Sequence, residues 1–482
     1  MIRAQNTNSK RRTTPSRSLF QNAPASVMAP RLMVILSAGA LLILGLVMVY
    51  SSSSITGYVE KGDALSETFK QCAFALVGIV AAVAIVLFVK QDFLRGIGCQ
   101  LFWGACVILL VLTALLGTVG LGAKRWLIIG PISIQISEFA KIAFVFMAAR
   151  IAEEFNDGSI DLMGAVKQAV IYIAAPLIFL FFAQSDLGTT LICCVALVTV
   201  LWLSGLPNKY LIGVIVAGVV LVLIAIFGTG YRSDRLIFLD PWSDDKNAGY
   251  QLIRAFKAFA YGGFFGVGIG NSYEKLLYLP EAETDFIFAI IGEELGLVGT
   301  VLVVVAFIVF LRGGLLIASQ AKTPFGGLVA ASLTIMVVFQ AFLNIACVIG
   351  VAPTTGKPLP FISSGGSSLI SSLVVVGFIL SVSFDTHNEG TYRARRENLH
   401  VVSSYSRMSD GDTSLSPSAT GARSRYAERR YESDSMQRTY GRQSSSLSLL
   451  SSCGESPSLR VIRGEGGVSY EQASRMQRAT RR

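Results

Sequence analysis

A chain of 482 residues that is 52% hydrophobic and 15% charged, with a mean hydropathy of +0.58, is too apolar for a water-soluble fold. Soluble domains carry about a quarter charged residues. The apolar residues gather in blocks such as LLILGLVMVY (41–50) and VLVVVAFIVFLRGGLLIA (301–318), and blocks of about 20 residues match the hydrocarbon thickness of a bilayer. The expected fold class is therefore an all-α polytopic membrane protein; a β-barrel is excluded because the segments do not alternate polar with apolar residues.

Ten spans are predicted, near 31–52, 69–89, 97–117, 136–152, 164–183, 187–204, 209–228, 285–311, 327–350 and 366–384. The first follows a basic, polar lead and reads as a true span, not a cleaved signal. The fourth is the weakest, because it contains Glu138 and Lys141. Residues 1–30 form a basic N-terminal tail, 31–385 the membrane domain, and 386–482 a tail rich in Ser and Arg that lacks the large aliphatics needed to offset chain entropy. That tail is expected to be disordered and solvated, with anionic membrane lipids as an alternative contact. The net charge of +10 calls for no nucleic acid. Both tails are basic and an even span count puts them on one side, so both termini are expected to be cytoplasmic. The stretches 118–135, 184–186, 229–284 and 351–365 then face outward.

Six of the seven cysteines lie in apolar stretches, Cys453 lies in the tail, and none shows a CxxC spacing, so packing is their expected role. His387 and His400 both fall in the tail, which excludes histidine chemistry in the membrane.

The unusual residues collect in the outward stretches. GAKRWLIIGPISIQISEFAK (122–141) puts Lys124 and Arg125 beside Trp126 on the side where cations hinder insertion. An anion at the membrane surface and a generic interfacial anchor are equally good readings of that cluster alone. Glu138 and Lys141 follow at i, i+3, able to pair on one helix face or to line a polar interior. In FFAQSDLGTT, Asp186 either caps the helix beginning at Leu187 or faces a polar site. The long stretch 229–284 holds Arg232, Arg235 and an amphipathic segment, LIRAFKAFAYGGFF, suited to lying flat on the outer leaflet. PTTGKPLPFISSGGSS (353–368) carries Lys357 and a Gly-Ser helix start whose N–H groups suit an anion. Asp285 stands where the long stretch enters a span, with Glu293 and Glu294 buried deeper in it. Four polar clusters on one face imply an outward cavity for a ligand with an anionic head and a lipid tail.

The segments GAKRW…QISEFAK, QSDLGTT, YRSDRLIFLDPW, GYQ, GVGIGNSYEKLLYLPEAETDFIFAIIGEELG and PTTGKPLPFISSGGSS, in this order over 31–385, resemble the SEDS family of bacterial shape, elongation, division and sporulation proteins. YLPEA before TDFIFAIIGEELG resembles its cell-division branch more than its elongation branch. The resemblance implies a glycosyltransferase that polymerises lipid II into undecaprenyl-diphosphate-linked glycan at the outer leaflet, in septal wall synthesis, with a class B penicillin-binding protein and other divisome proteins as partners. It implies catalysis by Asp285, a functional Trp126, and Glu138 and Lys141 lining the cavity. Ser137, Asp186, Gln251, Lys357 and Ser363 fall in the same motifs and join Lys124, Arg125, Arg232 and Arg235 as expected substrate contacts. The chain departs from the family pattern at Ile136 (QISE for QPSE), Ser185 (QSD for QPD), Glu283 (ETDF for HTDF) and Ser364 (SSGG for SYGG).

A glycosyl transfer needs a base for the attacking hydroxyl and positive charge for the leaving diphosphate. Asp285 suits the first, and Lys124, Arg125, Arg232, Arg235 or Lys357 the second. No cofactor is fixed by the sequence, and Asp285 could hold a magnesium or manganese ion. Glu293 and Glu294 are expected to make structural hydrogen bonds or face water. A lipid II flippase, a passive division scaffold and the elongation polymerase are the alternatives.

Overall fold

The computed structural model describes residues 25–120, 123–129, 132–205, 209–216, 218, 238, 240–244 and 249–385. The two tails, most of the span expected at 209–228, and Arg232 and Arg235 lie outside the described residues.

Within them the chain is a helical membrane bundle. Its elements are α1 (Ala25–Lys61), α2 (Ser66–Phe88), the short α3 (Gln91–Arg95), α4 (Ile97–Leu116), α5 (Ser137–Asn156), α6 (Leu162–Ala169), α7 (Ala175–Ala183), α8 (Leu187–Leu203), α9 (209–216), α10 (Tyr250–Gly262), α11 (Ile287–Ser319), α12 (Pro324–Val348) and α13 (366–385). A π-helical turn, Val170–Ala174, joins α6 and α7 into one 22-residue span. Seven of the described helices are long and apolar enough to cross a membrane, and α8 is 17 residues long. The expected fourth span is α5, a buried helix whose Glu138 and Lys141 neutralise each other. The inner helices are α12 and α13, most of whose residues are buried; Phe146 of α5 stacks edge-on against Phe378 of α13 at 4.8 Å. The helix α1 runs on through SSSS because Ser51 donates to the buried carboxylate of Glu294 on α11.

The helix α11 breaks at Gly296, whose φ of 66° and ψ of −162° are open to glycine alone. The break leaves Leu297 N, Val298 N and the carbonyls of Glu293 and Glu294 without helical partners. The glycine-rich turn after α10 supplies all four: Gly263 O and Phe264 O accept from Leu297 and Val298, while Val267 N and Gly268 N donate to Glu293 O and Glu294 O. Backbone at membrane depth is tolerated when it is satisfied in this way. So the glycines of GGFFGVGIG serve a re-entrant turn. The apolar face of α10 (Leu252, Ile253, Ala255, Ala258) is buried, and the helix packs against α11, which replaces the expected placement flat on the leaflet.

Within 118–135 the described residues form an antiparallel three-stranded meander of β1 (Thr118–Gly120), β2 (Ala123–Ile129) and β3 (Ile132–Ile134), with Trp126 opposite Thr118 and Leu127 opposite Ile134.

Candidate active site: a buried charge network beside Asp285

The start of α5, the turn before α8, the start of α11, the stretch before α13 and the C-terminal half of α12 meet at one end of the bundle. Asp186 ends the sharp α7–α8 turn and caps α8 by accepting from Thr189 N (3.1 Å). Thr189 Oγ1, Ser137 Oγ and Gln135 Nε2 also donate to its carboxylate, at 2.8, 3.2 and 3.3 Å. Lys357, 171 residues away in sequence, donates to the same carboxylate at 2.9 Å. Burial alone would raise the Asp186 carboxyl, but the charges of Lys357 and Arg125 outweigh it and hold the group well below the usual carboxylate range. The turn holds Ser185 at a φ of 51°, a value that proline, the residue the family resemblance implies there, cannot adopt.

The network continues inward. Lys357 Nζ is 4.0 Å from Glu138 Oε1, and Lys141 Nζ lies 2.9 Å from Glu138 Oε2 and 2.6 Å from Gln340 Oε1. Ser371 of α13 also donates to Glu138. All of these side chains are less than one-tenth exposed, so the ions are matched by partners and not by water.

Asp285 is half-buried one residue before Phe286, which stands at the N-cap position of α11 without a side-chain capping bond. A β-carbon added to Gly356 would lie 3.5 Å from its Oδ2, so the backbone beside Lys357 runs directly under the carboxylate. Burial, followed by the charge of Glu281, pushes the Asp285 carboxyl up, against the pull of Lys357, to about 6. Its backbone is pinned on all sides. Asn344 Nδ2 donates to Asp285 O (2.8 Å), Ser363 Oγ to Thr284 O (2.6 Å), and Ser364 N to Glu283 O (2.8 Å).

Several sequence expectations change in detail. Arg125 does not offer a free guanidinium; it donates to the carbonyls of Gln184 (2.9 Å) and Ser185 (2.7 Å) and so clamps the Asp186 turn. Trp126 is next to it on β2 and therefore points to the opposite face, the side of the exposed Ile128. Just ahead of α13, Ser364 N and Gly365 N bond Glu283 O and Gln71 Oε1, so these two donors of the Gly-Ser start are spent within the fold. Ser137, Glu138, Lys141, Asp186, Lys357 and Ser363 are brought together, with their polar atoms spent largely on one another and on backbone. Gln251 lies in the first turn of α10, half-buried. The Lys124 side chain, Arg232 and Arg235 lie outside what is described. Glu293 and Glu294 behave as structural acceptors: Glu293 takes Ser272 Oγ and Tyr273 N, and Glu294 takes Ser51 Oγ and Lys275 Nζ. Gln340 and Asn344 are absent from the sequence expectation, although two amides at i, i+4 inside an apolar span are a legible signal of a polar seam. Among the described residues no three His, Cys, Asp or Glu side chains converge to hold a metal. A divalent ion at Asp285 would thus draw most of its ligands from elsewhere.

Known proteins share this arrangement of elements. The chain is 40% identical over 353 residues to a probable peptidoglycan glycosyltransferase FtsW of Alkalilimnicola ehrlichii, covering 71% of this chain and 86% of the relative. It is 39% identical over 357 residues to the protein of the same description in Mycobacterium tuberculosis, covering 73% and 67%. Among solved structures, a chain from a study of how a peptidoglycan synthase complex coordinates polymerization and crosslinking superposes with a TM-score of 0.60 at 26% identity, covering 73% of this chain and 97% of that one. The rod shape determining protein RodA of Thermus thermophilus shares the fold, with a TM-score of 0.54 at 23% identity, covering 73% and 96%. The family that unites FtsW, RodA and SpoVE, described as cell cycle proteins, matches residues 31–388, and the chain belongs to it.

Proposed function

We propose that this protein is a peptidoglycan glycosyltransferase that polymerises lipid II at the outer leaflet during septal wall synthesis, with Asp285 as the general base. The observation that carries the reading is the setting of Asp285. It is a half-buried carboxylate raised to about 6, next to the Gly356–Lys357 backbone and at the edge of a matched ion network. A base with that pKa is mostly ionised at neutral pH yet basic enough to accept a proton as the transition state forms.

In the proposed step the hydroxyl oxygen of an acceptor sugar attacks the anomeric carbon of the donor. Its proton passes to Asp285, a glycosidic C–O bond forms, and the C–O bond to the diphosphate breaks, with the electron pair leaving on the lipid diphosphate. Lys357 is the cation whose field acts on Asp285, and it uses one hydrogen bond on Asp186 while an ammonium has three to give. Arg232, Arg235 and Lys124 are proposed as substrate contacts, and Trp126, on the other face of β2 from Arg125, as a contact for the lipid part of the substrate. Ser137, Glu138, Lys141, Asp186 and Ser363 hold the frame of the site, and Gln251 is proposed as a further substrate contact. A class B penicillin-binding protein joins the complex from the outer face, as suits likeness to a chain of a peptidoglycan synthase complex. The termini are proposed to be cytoplasmic and the protein to act at the septum.

The test combines the purified full chain with its class B penicillin-binding protein and lipid II, and compares wild type with Asp285→Ala. Glycan strands from wild type alone support the transferase. Equal strands from both would remove Asp285 from the chemistry, and lipid II movement across liposomes without polymer would favour a flippase.

A further inference from the structure

The helix α12 presents two side-chain amides one turn apart toward the stretch that carries Lys357. Gln340 Nε2 donates to Pro358 O (3.0 Å) while its Oε1 accepts from Lys141 Nζ (2.6 Å). Asn344 Nδ2 donates to Lys357 O (2.9 Å) and also to Asp285 O (2.8 Å). The amides therefore grip two consecutive carbonyls, 357 and 358. One is tied to the Lys141–Glu138 pair and the other to the residue proposed as base. Asn344 is 2% exposed, and its orientation is fixed because two carbonyls demand its donors.

We infer that Asn344 is a positioning residue for glycosyl transfer: by bridging the main chains of Asp285 and Lys357 it sets the separation between base and cation, with Gln340 fixing the same stretch one turn deeper. This inference rests on the assignment of Asp285 above. The stretch entering α11 and the stretch leaving α12 share no strand or helix ladder; Asn344 joins them at Asp285 and Lys357, and Ser363 Oγ and Ser364 N join them at Thr284 and Glu283. Without Asn344 both carbonyls lose this donor, and the Lys357 backbone is tied to the start of α11 only farther along, at Ser363 and Ser364. A misplacement of about 1 Å at a reacting centre costs on the order of 100-fold in rate.

The charges around Asp285 give the inference a readout that loss of fold would not mimic. Glu281 and Glu283 lie on its own stretch, Lys357 faces it from the stretch before α13, and Asp186, Glu138 and Lys141 face Lys357 from α8 and α5. Lys357 lowers the Asp285 carboxyl, so when its backbone is released that influence weakens and the acidic limb of the pH–rate profile moves to higher pH.

The experiment measures kcat, KM and the pH profile for lipid II polymerisation by the full chain with its penicillin-binding partner, in Asn344→Ala, the near-isosteric Asn344→Leu, and wild type. Thermal melting of each variant in detergent reports the folded fraction. A kcat about 100-fold lower, an unchanged KM and an acidic limb shifted upward in a variant that melts like wild type is the expected result. A kcat that tracks only the folded fraction with the limb unmoved, or wild-type kinetics in Asn344→Leu, overturns it. If Asn344→Ala does not fold, Asn344→Leu decides alone. Activity retained by Asp285→Ala in the same assay would instead fell the underlying assignment, so the two failures are told apart.

Discussion

Replacing Lys357 with methionine should expose how the network is balanced. The substitution keeps the length of the side chain and removes one charge from a site that is 2% exposed. Asp186 then keeps the donors Gln135, Ser137 and Thr189 but loses its ion partner at 2.9 Å, and Glu138 loses its second cation at 4.0 Å. Stranding one member of a buried pair costs about 3–5 kcal/mol, while replacing both by neutral groups is close to neutral. Thermal melting in detergent, followed by tryptophan fluorescence, should show a large loss in Lys357→Met and recovery in Lys357→Met with Asp186→Asn. The double-mutant cycle isolates the pair, since the two residues share partners. Because burial of Asp186 is offset by Lys357 and Arg125, its folded pKa is depressed, so the pair stabilises at neutral pH and is lost as pH falls through the carboxylate range. A Lys357→Met protein as stable as wild type at neutral pH, or one not rescued by Asp186→Asn, would refute the reasoning.

Other outcomes follow from the same geometry. Polymerisation should fall as pH drops through about 6, where Asp285 takes up its proton, and Glu281→Gln should move that limb to lower pH because Glu281 raises the group; a limb that stays put separates Glu281 from the base. Gly266→Ala should sharply reduce folded yield in fluorescence-detected size exclusion, because a β-carbon there collides with the Glu294 carbonyl and φ is 80°. Such overpacking costs at least about 1–3 kcal/mol. Glu294→Gln should lower the melting temperature by stranding Lys275, held at 2.9 Å, and Lys275→Met in addition should restore much of it.

Much of this was legible in the sequence because it is local. Apolar blocks gave the spans, and the i, i+3 spacing of Glu138 and Lys141 gave their pairing. The short QSD turn announced Asp186 as a cap, which it is. Long-range pairing was not legible, since no periodicity says that Lys357 meets Asp186 or that Asn344 holds Asp285. The meander around Trp126 was hidden because short strands next to glycines carry little pattern, and α10 was set on the leaflet because an amphipathic face does not name its partner. The glycines after α10 gave no hint that they fill a break at Gly296, since that need arises only where the two backbones meet.

The most direct test of the central claim removes the charge of Asp285 and nothing else. Asp285→Asn keeps size and main-chain contacts, so with lipid II and the penicillin-binding partner it should melt like wild type and make no glycan strands at any pH. Strands made at the wild-type rate by that variant would contradict the account.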